Sequence, residues 1–442
     1  MKDNQIPTAA KQSQHVHTLI IGGGQAGLSM SYVLKQQGVE HLILERHRLG
    51  WAWREQRWDT FCLVTPNWQC RLPGFHYAGK DPEGFMVKSQ IVDYLESYAA
   101  HFSPPIREGV NVIGISRSNP SSQNGRFCVT TSEGEFTAEQ VVVAVGNYHR
   151  ERFPAISSQL PARITQLHSA QYRNAESLPE GEVLVVGSAQ SGAQIAEDLH
   201  LAGRKVHLCV GNAPRVARFY RGRDVVAWLD DMGHYQLNVD NHPLGEDARQ
   251  KTNHYVTGRD GGRDIDLRAF ARQGMQLHGR MQSYQAEENG DGWLVMDDGL
   301  TKYLDAADAT SEKIKDSIDA WIAEQGISAP IEARYVPVWQ PSESDNRLDL
   351  SKISAIVWAV GFHTDFSWID VPAFNHRGYP IHRRGVCDIA GLYFLGLPWL
   401  WTWGSGRFEG VGQDAIYLGE QMLAAGFFGQ VAAMGGMENA FR

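Results

Sequence analysis

An α/β fold with two separate strand–turn–helix units is what this sequence predicts, on three observations. First, His17-Thr-Leu-Ile-Ile21 runs into Gly22-Gly23-Gly24-Gln25-Ala26-Gly27, followed by an apolar helical stretch and then Leu42-Ile43-Leu44-Glu45. Second, Glu182-Val-Leu-Val-Val186 runs into Gly187-Ser188-Ala189-Gln190-Ser191-Gly192 and then Ala193-Gln-Ile-Ala196-Glu-Asp-Leu199, about 165 residues further on. Third, a chain of 442 residues exceeds what one ordinary hydrophobic core holds. Glycines spaced G-x-G-x-x-G between an apolar strand and a helix are the fingerprint of a Rossmann-type dinucleotide-binding domain.

Taken in order, residues 15–48 read as strand, glycine turn, helix and strand, with Leu28, Met30, Tyr32, Val33 and Leu34 facing a sheet. Residues 50–84, rich in Trp, Pro and Gly, read as an ordered loop excursion over a cofactor. An amphipathic helix is expected over 88–103, and strands near 111–115, 127–131 and 141–145. The Pro-bearing segment 153–161 reads as a linker. Residues 220–345 are more polar and less periodic, and are expected to form a partly helical insertion or lid, with a helix from Asp266 to Gly279 inside it. Ile356-Val-Trp-Ala-Val-Gly361 reads as a strand, and the end as strand, aromatic loop and helix. The expected domains are thus 1–155, 156–355 with the insertion, and 356–442 returning to the first.

Composition excludes several classes. The net charge of −9 argues against nucleic acid as a partner. No run approaches the ~18 apolar residues of a membrane span. The polar stretch Met1 to Gln14 lacks an apolar signal core, so a cytoplasmic setting is expected. The five cysteines, Cys62, Cys70, Cys128, Cys209 and Cys387, contain no C-x-x-C pair, which argues against both a zinc site and a redox dithiol. His234, His242 and His254 in the insertion do not match metal-ligand spacing, and no metal is expected.

In the first fingerprint, Gly22 permits the tight turn, Gly24 lets backbone approach a pyrophosphate, and Gly27 permits close helix–strand packing. The helix start at Gln25 and Ala26 offers free N–H groups to phosphates. Glu45, about 20 residues on, is placed to accept ribose hydroxyls. The second fingerprint repeats this with Gly187, Ser188, Ala189, Gln190, Ser191 and Gly192. Its following strand, Val206-His-Leu-Cys-Val210, ends without a carboxylate, and Arg215 and Arg218 lie just beyond. That combination favours a 2′-phosphate, hence NADPH over NADH. Two sites in one chain are what a flavoprotein reduced by a nicotinamide needs.

On these motifs the chain resembles the class B flavin-dependent monooxygenases, which bind FAD and NADPH on two Rossmann-type domains. Gly50-Trp-Ala-Trp53-Arg54 stands where that family has a G-G-x-W motif, and Val64-Thr-Pro-Asn67-Trp68 resembles the segment whose asparagine faces the reactive flavin edge. Ala144-Val145-Gly146 and Ala359-Val-Gly361 stand where the family has Ala-Thr-Gly. The linker window Ala162-Arg-Ile164-Thr-Gln-Leu-His168-Ser-Ala-Gln-Tyr172 keeps the family's histidine and aromatic residue but replaces its phenylalanine and glycine. Leu63 to Trp68, Tyr220 to Asp224 and Gly391 to Gly396 are similar to a bacterial branch of flavin-dependent oxidoreductases.

The resemblance implies transfer of one oxygen atom from O2, through a C4a-(hydro)peroxyflavin, to a small organic substrate, with nitrogen or sulfur favoured. It implies Asn67 and His168 as catalytic and linker residues. It also implies cofactor contacts at Trp53, Arg54, Val145, Gly361 and Gln413, the last on the helix that follows Gly410. Trp399, Trp401 and Trp403 would then wall off solvent. Related enzymes are often homodimers, and the residues themselves are silent on assembly. The altered linker leaves a second reading open, an NADPH-dependent flavin oxidase or reductase without oxygen insertion.

Overall fold

The computed structural model describes residues 13–118, 126–288, 290–342 and 346–426. Most of the N-terminal stretch on which the export expectation rests lies outside them.

The first unit opens with β1 (Gln14–Ile21), α1 (Gln25–Gln36) and β2 (His41–Glu45). A short helix α2 (Trp51–Glu55) and the amphipathic α3 (Lys88–Phe102) follow. Then come strands β3 (Ile106–Glu108), β4 (Val112–Arg117), β5 (Phe127–Thr131) and β6 (Gly134–Val143). β1 lies between β2 and β6, parallel to both, and β3 extends the parallel side beyond β2. Because this sheet is covered on both faces, β1 and β2 read as continuous apolar runs: Leu19, Ile20 and Ile43 are fully buried.

The second unit is a five-stranded, all-parallel sheet. Its strands are β7 (Thr165–His168), β8 (Glu182–Val186), β9 (Val206–Cys209), β10 (Gln276–His278) and β14 (Ile353–Trp358). Their spatial order is β7-β14-β8-β9-β10, and α4 (Gln190–Leu201) crosses over from β8 to β9. β14 is therefore the neighbour of β8. The chain returns to the first unit only after Gly361, not at residue 356 as the sequence suggested. Two short strands then rejoin the first sheet: β15 (Ile369–Asp370) beside β4, and β16 (Leu392–Phe394) beside β6. α8 (Val411–Ala424) closes the unit.

The insertion is more ordered than its polarity suggested. It holds α5 (Val225–Asp231), α6 (Leu267–Arg272), an antiparallel meander of β11 (Met281–Glu287), β12 (Gly290–Met296) and β13 (Arg347–Asp349), and the 26-residue α7 (Leu300–Gln325). The helix expected over 266–279 stops at Arg272. Gly274, at φ +111°, turns the chain, and β10 follows as the edge strand of the second sheet. None of the described helices is long and apolar enough to cross a membrane.

Candidate functional site

Both glycine turns have the same local mechanics. Gly22 sits at φ +109°, and a Cβ there would lie 2.6 Å from the Ala144 carbonyl oxygen. Gly27 backs onto the same turn: its Cβ would stand 1.9 Å from the oxygen of Gly22. In the second unit Gly187, at φ +104°, would meet the Ala359 oxygen at 2.6 Å, and Gly192 would meet the Gly187 oxygen at 1.8 Å. Each fingerprint thus closes against its own Ala-Val-Gly segment.

The two helix starts are open. Gly24 caps α1 and Ala189 caps α4, and neither side chain satisfies a helix N–H. Nothing would lie within 4 Å of a Cβ on Gly24. Free N–H groups at the positive end of a helix, over an open glycine, fit a diphosphate. The residues present therefore fit two dinucleotides.

The surroundings differ. At the first turn, Glu45 accepts from the Gly23 N–H at 2.6 Å and the His47 N–H at 2.8 Å, which fixes its carboxylate at the mouth of the cradle. Gln25 donates to the Gly406 carbonyl at 3.2 Å and accepts from the Trp53 indole at 3.1 Å, tying α1 to the C-terminal loop. Trp53 stacks on Phe408. At the second turn, Ser188 is buried and accepts from the Gly211 N–H at 3.0 Å, while Gln190 exchanges hydrogen bonds with the Val256 backbone. Ser191 is exposed. A cavity of about 390 Å³ opens here, lined by Gly187, Cys209, Val210, Gly211 and Arg280 among others.

Several expected contacts fall elsewhere. Arg215 is buried, with Asp308 at 2.9 Å and Asp264 and Asp266 at 3.5 and 3.8 Å, so its charge is already matched by three carboxylates. Arg218 is equally buried, bonded to Asp224 at 2.7 Å and to the Val64 carbonyl at 2.7 Å. Both stitch the insertion together and do not face the nucleotide cavity. Arg54 turns to Glu96 on α3. Gln413 is exposed on the first turn of α8. Asn67 is buried, and both ends of its amide serve backbone: Nδ2 donates to Asp81 O at 2.9 Å and Oδ1 accepts from Met86 N–H at 2.7 Å. Its place is to hold the 64–86 loop.

His168 is fully buried. Its Nε2 donates to the Gly361 carbonyl at 2.9 Å and its Nδ1 accepts from the Ala170 N–H at 3.2 Å, so the ring is neutral. Burial lowers its pKa, with the Gly361 carbonyl opposing. It pins the end of β7 to the second Ala-Val-Gly turn. Val145 and Gly361 follow β6 and β14, where those turns leave the sheets. Just beyond them, Glu151 pairs with Phe362 and Arg150 with His363, so the two units are joined at their cradles.

The insertion meets the aromatic loop. The Val239 N–H donates to Trp401 O at 2.9 Å, Arg249 to Trp399 O at 3.1 Å, and Trp403 lies on Tyr235. Burial pushes His254 down to about 4, and His234 down as well. Burial also pushes the Cys62 and Cys70 thiols up, to about 11 and about 12, which leaves them unreactive. Among the described residues no His, Cys, Asp and Glu side chains are grouped to hold a metal ion. Arg280, Arg57 and Arg407, which the sequence alone did not single out, lie beside the cradles: Arg280 lines the cavity at Gly211, Arg57 lies over Trp53, and Arg407 follows Gly406.

The fold and site together define a two-dinucleotide flavoprotein oxidoreductase. A family model described as pyridine nucleotide-disulphide oxidoreductase matches residues 19–238. A CzcO-like uncharacterised oxidoreductase of Geobacillus kaustophilus is 33% identical over 414 residues, covering 93% of this chain and 99% of that one. A probable indole-3-pyruvate monooxygenase, YUCCA1 of Arabidopsis thaliana, is 33% identical over 212 residues, 46% of this chain and 50% of that one. A flavin monooxygenase mutant from Stenotrophomonas maltophilia superposes with a TM-score of 0.63 at 18% identity, over 93% of this chain and 99% of that one. The chain belongs to the CzcO-like oxidoreductases, and it shares its fold with a flavin monooxygenase. It is a flavin-dependent oxidoreductase, and FAD and NADPH are the cofactors of its family.

Proposed function

We propose that this protein is an FAD-containing, NADPH-consuming monooxygenase that inserts one oxygen atom into a small organic molecule, at nitrogen or sulfur. One observation carries the reading: two complete, uncapped glycine cradles whose closing turns are joined to each other beyond Gly146 and Gly361. FAD, when bound, accepts a hydride from NADPH and activates O2. The protein's part is binding, orientation and exclusion of water.

The α1 start and Glu45 hold the FAD phosphates and ribose, and the α4 start holds those of NADPH. Arg280 takes the role expected of Arg215. It stands beside Gly211 at the end of β9, has no carboxylate within ion-pair distance among the described residues, and lies over the Tyr303 ring at 4.6 Å. A guanidinium there reads the 2′-phosphate of NADPH. Trp53 and Gln25 fix the loop over the flavin. The insertion, closed onto Trp401 and Trp403, keeps water from the reacting centre. The free cysteines, buried at 62, 70, 209 and 387 and half-buried at 128, support oxygen insertion over thiol–disulfide exchange.

The test is stoichiometric. Across a panel of small amines and sulfides, at least one compound should lower H2O2 released per NADPH consumed and carry an oxygen atom from labelled O2. Release of one H2O2 per NADPH with every compound would replace this reading with an NADPH oxidase.

A further inference from the structure

Arg57 and Arg407 differ from most arginines of the chain. Arg215, Arg218, Arg259, Arg263 and Arg268 each face carboxylates within ion-pair distance. Among the described residues no carboxylate lies within that distance of Arg57 or Arg407. Both guanidinium groups lie instead on aromatic faces. Arg57 is 5.0 Å from the Trp53 ring and 5.4 Å from that of Phe61. Arg407 is 3.7 Å from the Trp403 ring, and donates to Asn253 at 3.1 Å and to the Trp403 carbonyl. Burial lowers both from the usual arginine value, and the Tyr148 side chain lies in electrostatic range of both. Glu409, two residues on, lies in electrostatic range of Arg407 without ion-pair contact; its burial raises its pKa, with Arg71 and Arg407 opposing.

A set of contacts links these positions. Trp53 bonds to Gln25 at the first cradle, and Gly406, beside Arg407, bonds to Gln25 from the other side. Tyr148 follows the first Ala-Val-Gly turn and lies on Phe362, which follows the second. Two cations with no carboxylate in ion-pair contact among the described residues, each lying on an indole ring, thus border the gap between the cradles. The diphosphates have their own sites at the α1 and α4 starts and do not need these arginines. A partly desolvated cation is stabilised by an anion, and a guanidinium presents a planar fork that matches a carboxylate.

We infer that Arg57 and Arg407 form a carboxylate-binding subsite of the reaction chamber, so that the substrate is a small organic acid with an apolar or aromatic body. This deepens the proposed function and rests on reading the gap between the cradles as that chamber.

The test uses the FAD-loaded protein and needs no turnover. Matched pairs of acid and neutral amide (phenylacetate and phenylacetamide, indole-3-acetate and its amide, butanoate and butanamide) are titrated while the flavin absorbance is followed. At least one acid should bind roughly tenfold or more tighter than its amide. Arg57→Gln and Arg407→Gln should each erase that preference, and Arg407→Lys should keep part of it, with dissociation constants for FAD and NADPH unchanged. Equal binding of acid and amide in every pair of the wild-type protein overturns the subsite, whether or not the variants fold. So does a loss of FAD or NADPH affinity in proportion to the loss of acid binding, which makes the arginines cofactor contacts. An enzyme that only makes H2O2 leaves these titrations decisive, so failure of the oxygenase reading and failure of the subsite are separable.

Discussion

The two glycine cradles are near copies in backbone and different at the strand that follows. Gly22 and Gly187 share the left-handed turn, and Gly27 and Gly192 the close approach to it. Ala144 and Ala359 supply the facing carbonyls. After β2 comes Glu45, fixed by two backbone N–H donors; after β9 come Val210 and Gly211, with Arg280 across the gap. Turn and helix start are the generic diphosphate device, and a single side chain at the end of the next strand selects between a free ribose hydroxyl and a phosphorylated one. Two kinds of arginine are separated as well: those neutralised by the insertion's aspartates, which build structure, and those without an ion-pair partner among the described residues, for which ligand contacts are proposed.

The largest effect that would sharpen this comparison comes from adding one carbon to each cradle. Gly27→Ala places a Cβ against the Gly22 carbonyl and should yield a protein that retains no FAD, visible as loss of colour. Gly192→Ala should leave the flavin in place while abolishing measurable NADPH binding. If each substitution impaired both cofactors alike, the cradles would not be independent sites.

Next in size is the cofactor preference. Arg280→Gln removes a charge-assisted contact of about 1.5–3 kcal/mol, so KM for NADPH should rise about 10- to 100-fold while KM for NADH barely moves. Arg215→Ala should instead lower the melting temperature, because the half-buried Asp264, Asp266 and Asp308 lose their shared cation and, among the described residues, only Asp308 keeps another, Arg268. The reverse pattern would return the 2′-phosphate to Arg215.

His168→Ala should cost about 1–3 kcal/mol in denaturant unfolding, since it empties the site of a fully buried ring and removes its hydrogen bond to the Gly361 carbonyl. NADPH oxidation should fall as well, while FAD retention holds. An unchanged NADPH response would confine His168 to stability.

The smallest effect concerns α4. Glu197 is buried where α1 carries Tyr32 at the corresponding position, and burial raises its carboxyl from 4.5 to about 7, opposed by Arg263. The folded pKa lies above the unfolded one, so stability falls as pH rises from 4.5 to about 7 and levels beyond. Glu197→Gln should flatten that decline, read as melting temperature at pH 5 against pH 8, by at most about 1.4 kcal/mol per pH unit.

Much of the frame was legible because its signals are local. A glycine that must adopt positive φ beside a buried apolar strand is readable from a dozen residues, and both cradles and Glu45 were found that way. The arginines were not. Arg215 looked free because its partners, Asp264, Asp266 and Asp308, lie 49 or more positions away in sequence. Asn67 carries a family motif, yet its amide is engaged by backbone at Asp81 and Met86, which only the folded loop brings near. α7 escaped notice because its inward face includes Ser311 and Lys315, which break the apolar stripe that marks a helix.

The central claim is that one chain holds FAD and NADPH so that a hydride passes between them. Anaerobic addition of NADPH to the purified protein tests it most directly. The flavin absorbance should bleach with one NADPH per FAD, and far more slowly with NADH. A colourless protein that takes up no added FAD, or a bound flavin that NADPH leaves oxidised, would contradict it.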